Sequence, residues 1–285
     1  MNWVLVTGAT SGIGYEICKA CLEDQFEIIG IGRNKEKIIE VENELTGLYP
    51  GRRIVFFQAN LSELDETEVL SKQIVDFLQK ENQGKLFGLV NNVGCVKSWY
   101  ETNRLGYELQ FSTNHLSSYV LTHNLLPSLI LGHGRILFTS SKSHKMMKIN
   151  WKDMMYERKY HPLLAYKQSK LCNLLFAHEI NNRFAHLGVK AYGIDPGLVK
   201  TDIGNKNTKG LVDFVWRIRK NGGVHPSVPA KTFAWILRQN SHPEGFYYYN
   251  LKVRSFSKEV NDINSTKLIE YSDQLCKIKF GGNVQ

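Results

Sequence analysis

Tyr166 and Lys170 stand four residues apart in Tyr-Lys-Gln-Ser-Lys. The segment reads as helix, and four residues is just over one turn, so the phenol and the ammonium share a face. A fixed positive charge beside a phenol favours phenolate. A group of ordinary pKa about 10 could then exchange protons near neutral pH. The second chemical feature is Thr-Gly-Ala-Thr-Ser-Gly-Ile-Gly at positions 7–14. Trp3 to Val6 before it is a short apolar run that suits a buried strand, and Ile13, Ile17 and Cys21 after it keep approximate helical spacing. Strand, glycine turn and helix bring free backbone N–H groups and a helix N-terminus to one point, a site for a pyrophosphate. The spacing Gly8, Gly12, Gly14 is G-x-x-x-G-x-G, not the commoner G-x-G-x-x-G. A Tyr/Lys pair alone can arise on any helix and a glycine turn alone can be only a tight turn; together they point to a nucleotide-dependent proton exchange.

The elements that must position these groups can be read from the rest of the chain. Strand-like runs at 3–7, 27–32, 53–59, 86–91, 134–140 and 190–195 alternate with helical stretches, which implies a parallel sheet covered on both faces. A last strand is expected at Gly245-Phe-Tyr-Tyr-Tyr, giving about seven, with a polar helical tail over 250–285. No linker, repeat or low-complexity tract divides the 285 residues. The expectation is an α/β chain with one doubly wound domain over 1–285.

The second strand ends in Gly32-Arg33-Asn34-Lys35. A carboxylate there would accept the ribose hydroxyls of NAD and repel a 2′-phosphate, whereas Arg33 offers that phosphate a planar fork of donors. This favours NADP; the alternative is a solvated arginine opening a charged helix.

With these features in place, the chain resembles the short-chain dehydrogenase/reductase family from end to end. The resemblance is carried by the glycine turn, by Asn91-Asn92-Val93-Gly94 after the Leu86 to Val90 strand, by Asn114 in Ser-Thr-Asn-His-Leu, by Ser141 closing Arg-Ile-Leu-Phe-Thr-Ser-Ser, and by Pro196-Gly197-Leu-Val-Lys-Thr201. It implies a Rossmann fold and a catalytic set of Asn114, Ser141, Tyr166 and Lys170. Its cofactor contacts would be Gly8, Ser11, Gly12, Ile13, Gly14, Arg33, Asn34, Asn60, Leu61, Asn92, Gly94, Tyr166, Lys170, Pro196, Gly197, Val199 and Thr201. Two departures are Val93, where the family usually has Ala, and Asn60 before Leu61, where it usually has Asp. In the implied reaction Tyr166 gives or takes the proton of the substrate oxygen and Ser141 holds that oxygen. Lys170 lowers the Tyr pKa and reaches the nicotinamide ribose, and Asn114 holds a water linking Lys170 to solvent. The likeness also implies a dimer or tetramer formed through the helices carrying Asn114 and Tyr166.

Ser141 and Tyr166 are 25 residues apart, and the intervening Lys142 to Leu164 is rich in Met, Trp and Lys. This insert, Gly-Phe-Tyr-Tyr-Tyr-Asn and the tail from Ser257 resemble the retinol dehydrogenase branch, which implies a bulky apolar substrate. The stretch after Thr201, with Leu211, Val212, Phe214, Val215, Trp216 and Ile218 among basic residues, is expected to act as a substrate lid over about 202–228. No N-terminal anchor is evident, so the reading favours a hydroxysteroid, with retinol/retinal or general carbonyl reduction as the alternative. A catalytically idle NADP-binding scaffold of the same fold is the alternative of another class.

The formal charge of +9 gathers partly in Lys142, Lys145, Lys148 and Lys152, and in Lys206, Lys209, Arg217, Arg219 and Lys220. Positive potential there suits NADP phosphates or an acidic substrate; a solvated basic surface is the competing reading. Nucleic acid is not expected, because no recognition helix or aromatic RNA-binding motif accompanies the charge. Cys18 and Cys21 form C-x-x-C inside a helix, where small buried side chains are the better reading, and no Cys or His spacing suits a metal. His178-Glu179 lacks a second His, and His144, shortly after Ser141, either lines the site or is a loop histidine. Five cysteines, no apolar run of 18 residues and no room for a signal sequence before the first strand make the cytoplasm the expected location, with no integral membrane segment expected.

Overall fold

The computed structural model describes residues 2–200 and 222–284. The lid stretch, the second basic cluster and Thr201 lie outside the described residues. Eight strands form one sheet in the order β3-β2-β1-β4-β5-β6-β7-β8. They are β1 (Trp3–Thr7), β2 (Glu27–Gly32), β3 (Ile54–Gln58), β4 (Gly88–Asn91), β5 (Arg135–Thr139), β6 (Lys190–Ile194), β7 (Tyr247–Tyr249) and β8 (Lys252–Val253). All neighbours pair in parallel except β7 and β8. The expected seven strands are therefore joined by an eighth: Asn250 and Leu251, both at positive φ, reverse the chain and let Lys252 and Val253 add an antiparallel edge. Its short, exposed, lysine-bearing form suits an edge strand.

The inner strands are apolar and covered on both faces. Helices α1 (Gly12–Glu23), α2 (Lys35–Leu48) and α7 (Ser227–Arg238) share the core of one side, with Ile17, Cys18 and Cys21 meeting Phe233, Ile236 and Leu237. On the other side lie α3 (Leu64–Asn82), α5 (Ser117–Leu131) and α6 (Pro162–Phe184). The strand order reverses between β1 and β4, so a crevice opens at their C-terminal ends, the usual ligand position in such sheets. The glycine turn follows β1 and Asn91-Asn92-Val93-Gly94 lies at the end of β4, so both sit at this reversal.

The tail differs from expectation. Only α8 (Asp262–Cys276) is helical, and it is not simply polar, because Leu268 and Ile269 are buried and Phe280 beyond it packs against Tyr119, Phe176 and Phe184. The Tyr119 hydroxyl donates to Asp273 at 2.7 Å, and His178 and Asn182 both reach Asp262. The tail thus packs against α5 and α6. The Met-rich insert is likewise core: Met147, Ile149, Met154, Met155 and Tyr156 are buried beside Leu171 and Leu175 of α6. Among the described residues no helix is long and apolar enough to cross a membrane.

Candidate active site

The glycine turn has the shape a pyrophosphate needs. Gly8 and Gly12 take φ of +67° and +56°, a left-handed backbone open mainly to glycine. A Cβ on Gly14 would strike the Gly8 carbonyl and lie 2.8 Å from Asn92 Nδ2, so only glycine lets α1 approach the strand end this closely. Ser11 precedes α1 in extended conformation with no side-chain cap, and the first turn holds no acid, so its N–H groups and positive dipole end face the crevice uncompensated. These observations fit the diphosphate of a dinucleotide. The floor is tied down by Thr7, whose hydroxyl donates to the Val90 carbonyl and accepts the N–H groups of Asn92 and Val93, each at 2.9 Å. Asn92 also donates to the Thr7 carbonyl at 3.1 Å and accepts from the Thr139 hydroxyl at 3.1 Å, linking the ends of β1, β4 and β5.

The four chemical residues converge on the same strand ends. Lys170 is buried and donates to the Thr139 carbonyl at 2.9 Å, with Nζ 5.7 Å from the centre of the Tyr166 ring. Burial pushes its pKa down to about 8, with Cys95 acting in the opposite sense. Ser141 ends this strand two residues later in extended conformation and caps the following turn, accepting from Ser143. Tyr166 packs against Val96. A Cβ on Gly94 would sit 3.3 Å from both Asn114 Oδ1 and Lys170 Nζ, which places these two side chains around one glycine.

Asn114 lies in a π-helical turn, Ser112–Leu116, between the short α4 (Leu109–Phe111) and α5. Such turns interrupt regular helix bonding and recur at functional sites. Its Oδ1 accepts the Cys95 N–H at 2.7 Å, while Nδ2 donates to the Cys95 carbonyl and to Ser169 Oγ. Both amide hydrogens are thereby committed, so the side chain clamps the Cys95 loop to α6. A water held by Asn114, as expected, would have to donate to one of its oxygens.

The adenosine end is looser. Arg33 is exposed and makes no ion pair among the described residues. Asn34 caps α2, its Oδ1 accepting from Lys37 at 2.7 Å, so only its amide remains for a cofactor. Asn60 Oδ1 turns back to Ser62, and the Asn60 N–H is held by Glu66. Leu61 buries its side chain in the core and has only backbone to offer. Ile13 is half-buried, packed against the core beside the turn. Past β6, Gly197 takes φ +71° and its N–H donates to Asp195, while Val199 forms a bridge with Val224; Pro196 leads into this turn.

Four contributors escaped the sequence reading. Thr7 and Thr139 are ordinary strand-end residues whose roles show only through their cross-strand partners. Cys95 supplies the backbone that Asn114 clasps. Glu108 is buried at the head of the helix leading to Asn114, accepting from the Phe111 N–H at 2.7 Å and lying within 3.2 Å of the Tyr160 hydroxyl; burial pushes its carboxyl up to about 7. A glutamate directly before an apolar helix start was the only available signal.

Comparison with known proteins agrees with this architecture. A family model described as short chain dehydrogenase matches residues 2–211. Retinol dehydrogenase 11 of Homo sapiens is 31% identical over 201 residues, covering 70% of this chain and 62% of that protein. Polyprenol dehydrogenase of Homo sapiens is 31% identical over 263 residues, covering 87% of this chain and 76% of the relative. The chain therefore spans less than two thirds of retinol dehydrogenase 11. Among solved structures, an alcohol dehydrogenase from the archaeon Thermococcus sibiricus complexed with 5-hydroxy-NADP superposes with a TM-score of 0.68 at 18% identity, covering 90% of this chain and 99% of that one. The chain belongs to the short-chain dehydrogenase family, in its retinol dehydrogenase-like branch.

Proposed function

We propose that the protein is an NADP-dependent oxidoreductase interconverting an alcohol and a carbonyl on a bulky apolar substrate. The observation that carries this reading is the convergence of Lys170 and Asn114 on Gly94, with the Tyr166 ring 5.7 Å from Lys170 Nζ, beside a glycine turn shaped for a diphosphate. An idle scaffold would have no need to keep Lys170 buried at 2.9 Å from a strand-end carbonyl, because burying an ammonium is costly.

The nicotinamide, when bound, supplies or accepts the hydride. This chain's residues do the rest. Tyr166 gives its proton to the carbonyl oxygen as charge builds there, and Ser141 donates a hydrogen bond to the same oxygen. Lys170 keeps a positive charge beside the phenol and reaches the cofactor ribose. Asn114 ties the Cys95 loop, next to Gly94, to α6. Arg33 would meet the 2′-phosphate and so favour NADP over NAD.

For the substrate, the candidates are a hydroxysteroid and a long-chain isoprenoid alcohol. The names of the relatives, retinol and polyprenol dehydrogenases, favour the isoprenoid. The test is a panel of retinal, a polyprenal, hydroxysteroids with their ketones and short ketones, assayed with NADPH and NADH. Higher kcat/KM for the isoprenoid aldehydes with NADPH supports the reading; higher values for steroids restore the hydroxysteroid, and no turnover of any member defeats the enzyme reading.

A further inference from the structure

Two fully buried histidines adjoin the catalytic set, and each is bonded to a serine of the C-terminal tail. His144, three residues after Ser141, has Nδ1 2.6 Å from the Ser141 carbonyl, and its Nε2 accepts the Ser257 N–H at 3.2 Å. A carbonyl can only accept and an amide can only donate, so the ring must be neutral with its proton on Nδ1. His115 follows Asn114 directly in the π-turn, and its Nε2 lies 3.1 Å from Ser272 Oγ of α8. Its ring is packed among Phe111, Tyr119 and Phe176. Its Nδ1 lacks a partner of good geometry, although Asn173 lies near enough to raise its pKa against the larger effect of burial.

We propose that the segment from Ser257 to Ser272 is a positioning element of the active site, acting through His144 on Ser141 and through His115 on Asn114. The inference rests on the catalytic roles given above. Ser141 follows a strand end and needs a fixed carbonyl to aim its hydroxyl; the Nδ1–H of His144 supplies that, and the Ser257 N–H fixes the ring in turn. Asn114 sits in an irregular turn, and the Ser272 link holds its neighbour from the opposite side. Both arms reach back from one tail, so substitutions that loosen it act on two catalytic residues at once. The groups facing His144 are Lys145 on its own turn, Asp195 beyond β6, and the edge-on ring of Tyr247; no charged group adjoins His115 in its aromatic setting.

The test compares His144→Asn, His144→Leu and Ser272→Ala with wild type, reading kcat, NADPH affinity by fluorescence and Tm. An asparagine amide can still donate to the Ser141 carbonyl; leucine cannot. The expected result is kcat lowered about tenfold or more in His144→Leu, largely retained in His144→Asn, and lowered several-fold in Ser272→Ala, with NADPH affinity unchanged throughout. Equal kcat in the Asn and Leu variants overturns the His144 arm, and a Tm loss without a kcat loss in Ser272→Ala overturns the His115 arm. Nitrogen-15 spectra of the histidines give a readout that needs no turnover: the Nδ1–H tautomer is expected for His144 at neutral pH, and an Nε2–H or charged ring overturns that arm. If wild type turns over nothing, the proposed function fails; if it is active while the variants match it, only this inference fails.

Discussion

The two ends of the crevice are built differently. At the proposed nicotinamide end Lys170 and Asn114 are buried; Lys170 gives one hydrogen bond to β5, and Asn114 has its amide committed to the Cys95 loop and α6. At the adenosine end Arg33 is exposed, and Asn34 and Asn60 spend their oxygens on local capping. Under the proposed function, the difference reflects what each end must do. Proton transfer requires groups fixed in advance in a dry site, whereas a phosphate is recognised by charge that tolerates mobility and solvent.

Substitutions at the buried end should therefore cost most. Lys170→Met is expected to lower kcat/KM by roughly a thousandfold, the upper range for a group that tunes a proton donor; single-turnover kinetics with saturating NADPH would check it. A loss of less than about threefold would place Lys170 outside the chemistry. At the exposed end, Arg33→Asp should change the NADP/NAD preference by roughly 10- to 100-fold while leaving kcat with the preferred cofactor nearly intact, the scale of a charge-assisted contact. Measuring kcat/KM for both cofactors decides it, and unchanged selectivity would show a surface arginine.

Beneath both ends, Thr7→Val should destabilise the fold by about 1–3 kcal/mol, because the Asn92 and Val93 N–H groups lose their acceptor. Urea denaturation reads this directly. A further effect concerns acid. Burial lowers the pKa of His115 to about 3 and lowers that of His144. Depressed folded pKa values mean that the unfolded chain binds protons first. The contribution of each is present above the unfolded value of about 6.5 and is lost as pH falls below it, by up to about 1.4 kcal/mol per pH unit and group. Glu108, raised to about 7, acts in the opposite sense as pH falls through that region, so the wild-type slope is shallower than the two histidines alone would give. It should steepen in Glu108→Gln, which removes the offset; an unchanged slope of stability against pH would contradict the assignment.

Much of this was legible in the sequence because it is local. Each of the six strand runs lies within a residue or two of its element, and Tyr166 and Lys170 share a helix as their spacing required. What remained hidden depends on contacts distant along the chain. The clasp between Asn114 and Cys95 spans 19 residues, and the link from His115 to Ser272 spans 157. His144 looked like a loop histidine because nothing in its neighbourhood announces the Ser257 amide. The tail read as a polar helix because Phe280 lies past the helical pattern, and its partners Tyr119 and Phe176 sit on other elements.

The central claim is that Tyr166 donates the proton from an otherwise intact nucleotide site. The most direct measurement is NADPH binding and aldehyde reduction in one preparation of wild type and Tyr166→Phe. The account predicts equal NADPH affinity and a fall in turnover of about a hundredfold or more in the variant. Near-normal turnover by Tyr166→Phe would contradict it.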